Sequence, residues 1–178
     1  VGSLNCKVAG GSGFIFGSRR GRVVPLVFEA FDWDHGVFLG SAMGTETTAA
    51  ITGEVGVVRR DPMAMLPFCG YNMADYLQHW LSMGPRLKNP PKIFRVNWFR
   101  RDADGKYLWP GYSENVRVLK WILERIQGGG QATETAIGNV PTPDGLDLAG
   151  LDMPPDRLAE ALRVGKEDWV RALYELGE

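Results

Sequence analysis

Apolar and polar positions change rhythm several times along the chain. Phe14, Ile15 and Phe16 form a short apolar run after Gly10-Gly11-Ser12-Gly13, which predicts a buried strand. Residues 25–28 predict a second buried segment, ending at Glu29. From 44 to 56 the chain is Thr, Ala and Gly with almost no large apolar side chain. Such a stretch has little to bury, so it predicts a mobile loop. Residues 55–58 then predict a strand running into Arg59, Arg60 and Asp61.

Asn72, with Asp75 three residues on, reads as a helix cap. Met73, Tyr76, Leu77, Trp80 and Leu81 recur at helical spacing, and Gly84-Pro85 stops the helix. From 93 to 99 the pattern alternates, with Phe94, Val96 and Trp98 on one face and Arg95 and Asn97 on the other; that is a strand. Ser113 is the expected cap of a further helix, with Leu119, Ile122, Leu123 and Ile126 as its buried face and Gly128-Gly129-Gly130 at its end. A turn-rich connection at 144–150 leads to two short helices, near 155–162 and 166–176. Strands mixed with helices predict an α/β or α+β architecture.

Composition narrows the class. The 178 residues suggest one domain, and 44% hydrophobic with 23% charged residues excludes a disordered chain, a collagen-like repeat and a disulfide miniprotein. With 20 basic and 21 acidic residues the net charge is −1, so no global field points to nucleic acid or a membrane surface. Cys6 and Cys69 stand far apart, and a reduced, cytoplasmic chain is the expectation. The N-terminus lacks the long apolar run of a signal peptide, and no stretch is long enough to span a bilayer. The chain starts at Val1 and ends at Glu178 inside a predicted helix, which suggests a fragment.

Candidate chemistry is sparse. Gly105-Lys106 is followed by Tyr107 and Gly165-Lys166 by Glu167, so neither completes a phosphate-binding G-x-x-x-x-G-K-[ST] loop. Gly11, Gly13 and Gly17 do not make G-x-G-x-x-G. Asp32, Asp34 and His35 cluster, but zinc- or calcium-type spacing is missing, and a solvated turn with a helix cap explains them. His79 lies on the predicted helix beside Trp80, where packing or exposure explains it. Arg19, Arg20 and Arg22 follow a buried strand; they are either an anion clamp, since guanidinium forks match phosphate oxygens, or a solvated turn. Trp98, Phe99, Tyr107, Trp109 and Tyr112 surround a hydrophilic hairpin at 100–106. They are either a stacking surface for a planar base or a satellite core under a hairpin. In the first case Asn115, an amide, could add discrimination between bases.

The run Ile93-Phe94-Arg95-Val96-Asn97-Trp98-Phe99-Arg100, followed by Gly105-Lys106-Tyr107-Leu108-Trp109-Pro110-Gly111-Tyr112-Ser113-Glu114-Asn115, resembles the GTP-dependent phosphoenolpyruvate carboxykinases. So do Pro25-Leu26-Val27-Phe28-Glu29-Ala30, His35-Gly36-Val37-Phe38, Asp61-Pro62-Met63-Ala64-Met65, Gly70-Tyr71-Asn72 and His79-Trp80-Leu81-Ser82-Met83. The resemblance assigns residues 12–178 to part of a C-terminal GTP-binding domain of mixed α+β class, a mixed sheet with flanking helices. Residues 1–11 stay unassigned.

The resemblance implies an enzyme that turns oxaloacetate and GTP into phosphoenolpyruvate, carbon dioxide and GDP, in gluconeogenesis. It implies a divalent metal, manganese or magnesium, with its ligands outside this segment, and a monomeric parent enzyme. Arg19 would contact the phosphate being transferred. Phe99 and Tyr112 would sandwich or flank guanine, with Tyr107 beside them. Tyr112, Ser113, Glu114 and Asn115 would form a nucleotide-binding run, Asn115 reading the guanine edge. Residues 44–56, starting with Gly44, Thr45, Glu46, Thr47, Thr48, Ala49 and Ala50, would be a lid over the site. Tyr107 and Tyr112 replace the Phe of better-known members, and Gly44 stands where some carry Arg. Two rival readings are a guanine-nucleotide-binding module with no activity of its own, and a structural α/β domain whose aromatics are core.

Overall fold

The computed structural model describes residues 3–8, 11–48 and 56–174. The first strands are β1 (Ser3–Val8), β2 (Gly11–Gly17) and β3 (Val27–Glu29), followed by helix α1 (Trp33–Ser41). Two short strands, β4 (Gly44–Glu46) and β5 (Val58–Arg60), pair with each other, and helix α2 (Met73–Met83) comes next. Strand β6 (Lys92–Val96), helix α3 (Asn115–Ile126), the hairpin β7 (Ala132–Thr135) and β8 (Gly138–Pro141), and helices α4 (Pro155–Leu162) and α5 (Lys166–Tyr174) follow.

The main sheet has the order β1-β2-β6-β3-β8-β7. Strands β2 and β6 are parallel, in register from Gly13 with Lys92 to Gly17 with Val96. The other pairs in this sheet are antiparallel, so the sheet is mixed. Side-chain alternation feeds two layers of helices. Ile15, Val27, Phe94 and Val96 pack with Val118, Trp121 and Ile122 of α3 and Leu158, Ala161 and Leu162 of α4. Phe16, Phe28 and Ile93 point the other way, against Trp33, Val37 and Leu39 of α1, with Tyr76, Leu77 and Trp80 of α2 on the margin.

The mixed α+β class expected from the sequence is the class observed. Asn72 caps α2, its side chain accepting from Ala74 N at 2.9 Å. Asp32 caps α1 by accepting from His35 N at 2.8 Å, so the Asp32–His35 cluster is a helix start. The two helices meet through stacked rings of Trp33 and Trp80, 5.4 Å apart, and Trp33 Nε1 donates to Trp80 O at 2.8 Å.

Several expectations need correction. Ser113 is not a helix cap: α3 is preceded by a 3-10 turn at Tyr112–Glu114, and Ser113 Oγ instead bonds Glu114 Oε1 at 3.1 Å. The buried face of α3 is Val118, Trp121, Ile122 and Ile126, while Leu119 and Leu123 are only half-buried. Arg95 and Asn97 are both buried, because β6 is a central strand covered on both faces. The loop expected at 44–56 starts as a strand, with Gly44 opposite Arg60 and Glu46 opposite Val58. The β7–β8 hairpin was not anticipated: its four-residue strands are too short to show a clear period.

Gly36 sits inside α1 where a Cβ would land on the Ile93 side chain of β6. Gly36→Ala should therefore cost about 1–3 kcal/mol through overpacking, despite alanine's better helix propensity. Urea unfolding checks it; unchanged or higher stability would mean that the helix stands off the sheet.

Candidate functional site

Parallel pairing brings the carboxyl ends of β2 and β6 to one edge, where ligands of open α/β sheets commonly bind. Beyond β2 run Ser18, Arg19, Arg20, Gly21 and Arg22. Beyond β6 run Asn97, Trp98 and Phe99, then a tight hairpin closed by an Arg101–Tyr107 bridge. That hairpin turns at Gly105, whose φ of 81° suits glycine, and Lys106 N donates to Asp102 Oδ1 at 2.8 Å.

The two segments and the β4–β5 hairpin enclose a cleft of about 800 Å³. Arg19, Arg20 and Arg22 form one wall, Glu46, Thr47 and Thr48 a second, and Phe99, Arg101 and Tyr107 a third, with Asp168 of α5 at the margin. The β4–β5 hairpin is tied to the arginine turn: Glu46 N donates to Arg19 O at 2.9 Å, and Gly21 N donates to Glu46 Oε1 at 2.6 Å.

The charges favour an anion. The acids of the cleft already have protein donors: Glu46 takes Gly21 N, Asp102 takes Lys106 N, and Asp168 pairs with Arg163 at 2.9 Å. Behind the arginine turn, Arg95 is only 4% exposed. Its guanidinium reaches Ser18 Oγ at 3.4 Å, and its Nε has no partner among the described residues. Burial, and then the nearby Arg20, lower its pKa to about 10, so it stays protonated at neutral pH. Arg100, beside the hairpin, has its pKa lowered by burial and held up by Glu160.

The turn itself is strained. Val23, a β-branched residue, has φ of 68°, a conformation costing on the order of 1–3 kcal/mol. It persists because its neighbours are bonded: Val24 N donates to Arg22 O at 2.8 Å and Leu26 N to Ala161 O at 2.8 Å.

The expected site residues divide into two groups. Arg19, Phe99 and Tyr107 meet in the cleft. The Arg19 guanidinium lies 4.7 Å over the Phe99 ring, and Arg101 lies 4.6 Å over Tyr107. The two rings are edge to face, 6.0 Å apart. The Tyr107 hydroxyl, which a Phe would lack, accepts from Arg101 Nη2 at 3.0 Å. Tyr112, Ser113, Glu114 and Asn115 do not line this cleft. The Tyr112 ring is 96% exposed, Glu114 pairs with Arg117 at 2.6 Å, and Asn115 Oδ1 accepts from Trp109 Nε1 at 2.9 Å.

Of the expected lid, Gly44, Thr45, Glu46, Thr47 and Thr48 are at the base of the β4–β5 hairpin; Ala49 and Ala50 lie outside the described residues. His35 is not free for a metal: its Nδ1 accepts from Phe31 N at 3.1 Å, and its ring stacks on Phe31. Among the described residues no three His, Cys, Asp or Glu side chains gather to hold a metal. No helix among them is long and apolar enough to cross a membrane. Sequence reasoning missed Arg101, Asp168 and Asn97. Only Asn97 carried a usable signal, a polar residue at the end of an alternating strand.

A mixed sheet with two helical layers, and an arginine-walled, aromatic-flanked cleft at the carboxyl edge of its parallel strands, define a mixed α+β domain. Residues 9–178 match the phosphoenolpyruvate carboxykinase C-terminal P-loop domain, and the chain belongs to the GTP-dependent phosphoenolpyruvate carboxykinase family. It is 60% identical over 167 residues to the phosphoenolpyruvate carboxykinase [GTP] of Anaeromyxobacter sp. (strain K), covering 94% of this chain and 28% of that protein. The enzyme of the same name from Thermoplasma volcanium is 54% identical over 165 residues, covering 93% and 28%. That from Paenarthrobacter aurescens is 52% identical over 170 residues, covering 94% and 28%. The chain thus spans about 28% of the length of these curated relatives.

Among the described residues Asn115 Oδ1 is the acceptor for the indole N–H of Trp109, which is 2% exposed. Asn115→Ala should destabilise the fold by about 1–2 kcal/mol, whereas Asn115→Asp, which keeps an acceptor, should cost less. Thermal unfolding checks the order; equal losses would mean that water satisfies the indole.

Proposed function

We propose that this chain is the guanine-nucleotide-handling part of a GTP-dependent phosphoenolpyruvate carboxykinase. The parent enzyme would take oxaloacetate and GTP to phosphoenolpyruvate, carbon dioxide and GDP. The observation that carries the reading is the placement of Arg19 against Phe99 at one sheet edge, within a chain 60% identical to an enzyme of that name. A phosphate-binding cation and a flat aromatic surface then meet where a nucleoside triphosphate needs both.

In that reaction the C–C bond to the departing carboxylate breaks and leaves its electron pair as an enolate. The enolate oxygen takes the terminal phosphoryl group of GTP, and GDP leaves. Arg19 neutralises charge on the moving phosphoryl group, a contact that strengthens as the transfer proceeds. Phe99 offers the base a stacking face, and Tyr107, set edge to face against it, flanks the base. Tyr112, whose ring has no packing to lose, closes over the base from the neighbouring turn. With its oxygen engaged by Trp109, Asn115 presents its amino group, a donor that suits guanine O6 and not the amino group of adenine. The segment 44–56 closes over the site and keeps water from the enolate. Among the described residues no cluster of side chains would hold the family's divalent metal.

Two measurements on the full-length enzyme test the reading. Tyr112→Ala should weaken GTP by about 1–3 kcal/mol through lost stacking, and Tyr112→Phe should be nearly neutral. An unchanged Michaelis constant for GTP in the alanine variant would remove Tyr112 from the base site. Arg19→Lys keeps the charge and loses the two-point fork, so turnover should fall by at least about tenfold with a smaller change in nucleotide affinity. Equal changes in both would assign Arg19 to ground-state binding.

A further inference from the structure

Asn97 is fully buried at the end of β6 and uses its whole hydrogen-bonding capacity on backbone. Its Oδ1 accepts from Arg20 N at 3.2 Å and from Phe99 N at 3.2 Å. Its Nδ2 donates to Arg20 O at 2.8 Å and to Val24 O at 2.8 Å. Its own backbone N–H donates to Leu26 O at 2.9 Å, which fixes the residue to the segment leading into β3.

We infer that Asn97 is a positioning residue that sets the phosphate-side arginine turn and the aromatic platform in register, an inference that rests on the nucleotide reading above. Both amide groups of Arg20 are clamped by one side chain, and the same oxygen holds the amide of Phe99. Arg19 and Phe99 are thereby held on neighbouring strand ends at a fixed offset, with their side chains 4.7 Å apart. The fourth bond, to Val24 O, lies just past Val23, the residue with φ of 68°. Asn97 therefore also holds the strained bend that turns the arginines toward the cleft. A residue needed only to fill the core would be apolar. An amide whose four bonds all go to the two site-bearing loops and the bend between them is suited to a different task, which is to fix one half of the nucleotide site relative to the other.

The test is a mutational cycle in the full-length enzyme, read as kcat/KM for GTP. Asn97→Asp keeps the shape and both accepting contacts but loses the two donors. It should lower kcat/KM by at least about tenfold. Arg19→Lys should cost at least about tenfold when Asn97 is intact, and less than about threefold in the Asn97→Asp background, because the fork is already out of place. If Asn97→Asp does not fold, Asn97→Ser serves the same cycle. Costs that multiply in full would show that Asn97 supports the fold without setting the register, and would overturn the inference alone. An Arg19→Lys variant that is silent with Asn97 intact would overturn the nucleotide reading, and this inference with it.

Discussion

The parallel pairing of β2 with β6 is the constraint on which the site depends. Parallel neighbours cannot be joined by a tight turn, so the chain between Gly17 and Lys92 makes a long excursion. That excursion inserts β3 on the far side of β6, lays α1 and α2 over one face, and projects the β4–β5 hairpin over the carboxyl edge. The same pairing makes both strands end at one place. Arg19 and Phe99, far apart in sequence, become neighbours because their strands stop side by side.

A central strand covered on both faces has to bury whatever it carries. At the amino end of β6 the result is a closed account of charge. Glu29 is 5% exposed and receives Lys92 at 2.6 Å and Arg125 at 2.6 Å, so a buried carboxylate is matched by two cations. Farther along β6 the balance is reversed. Arg95 is buried with a hydroxyl as its partner and another arginine nearby. Buried cations without carboxylates are costly unless something else supplies the charge. The positive charge buried under the arginine turn thus contrasts with the Glu29 triad, in which opposite charges are matched.

The elements with strong local signals were legible in the sequence. Asn72 and its apolar partners define α2, and Phe14 to Phe16 define β2, because caps and contiguous apolar runs are local properties. The β7–β8 hairpin and α1 were harder to see. Gly36 and Gly40 weaken the helical pattern of α1 for a reason seen only in three dimensions: both face the sheet, where a Cβ would meet Ile93 or Phe16. The site was half legible. Arg19, Phe99 and Tyr107 could be named from motifs and are brought together, but Tyr112 and Asn115 stand on a separate turn. Arg95 and Asn97 read as the polar side of a strand, because periodicity reports which face a residue occupies and not whether a second layer covers that face.

The turn at 18–22 also connects parts that act separately in sequence. Arg19 O receives Glu46 N from the base of the β4–β5 hairpin, Gly21 N is held by the Glu46 carboxylate, and Gly21 O receives Arg101 N from the aromatic hairpin. Arg20 is held from below by Asn97. Two walls of the cleft are thus fastened to the turn that forms the third, and each fastening engages the turn's backbone rather than an arginine side chain. The turn that carries the guanidinium groups therefore cannot shift alone. A displacement of the β4–β5 hairpin would pull on Arg19 and Gly21 directly. The positions of the β4–β5 hairpin and of the arginines are thus mechanically coupled, because both pass through the same turn.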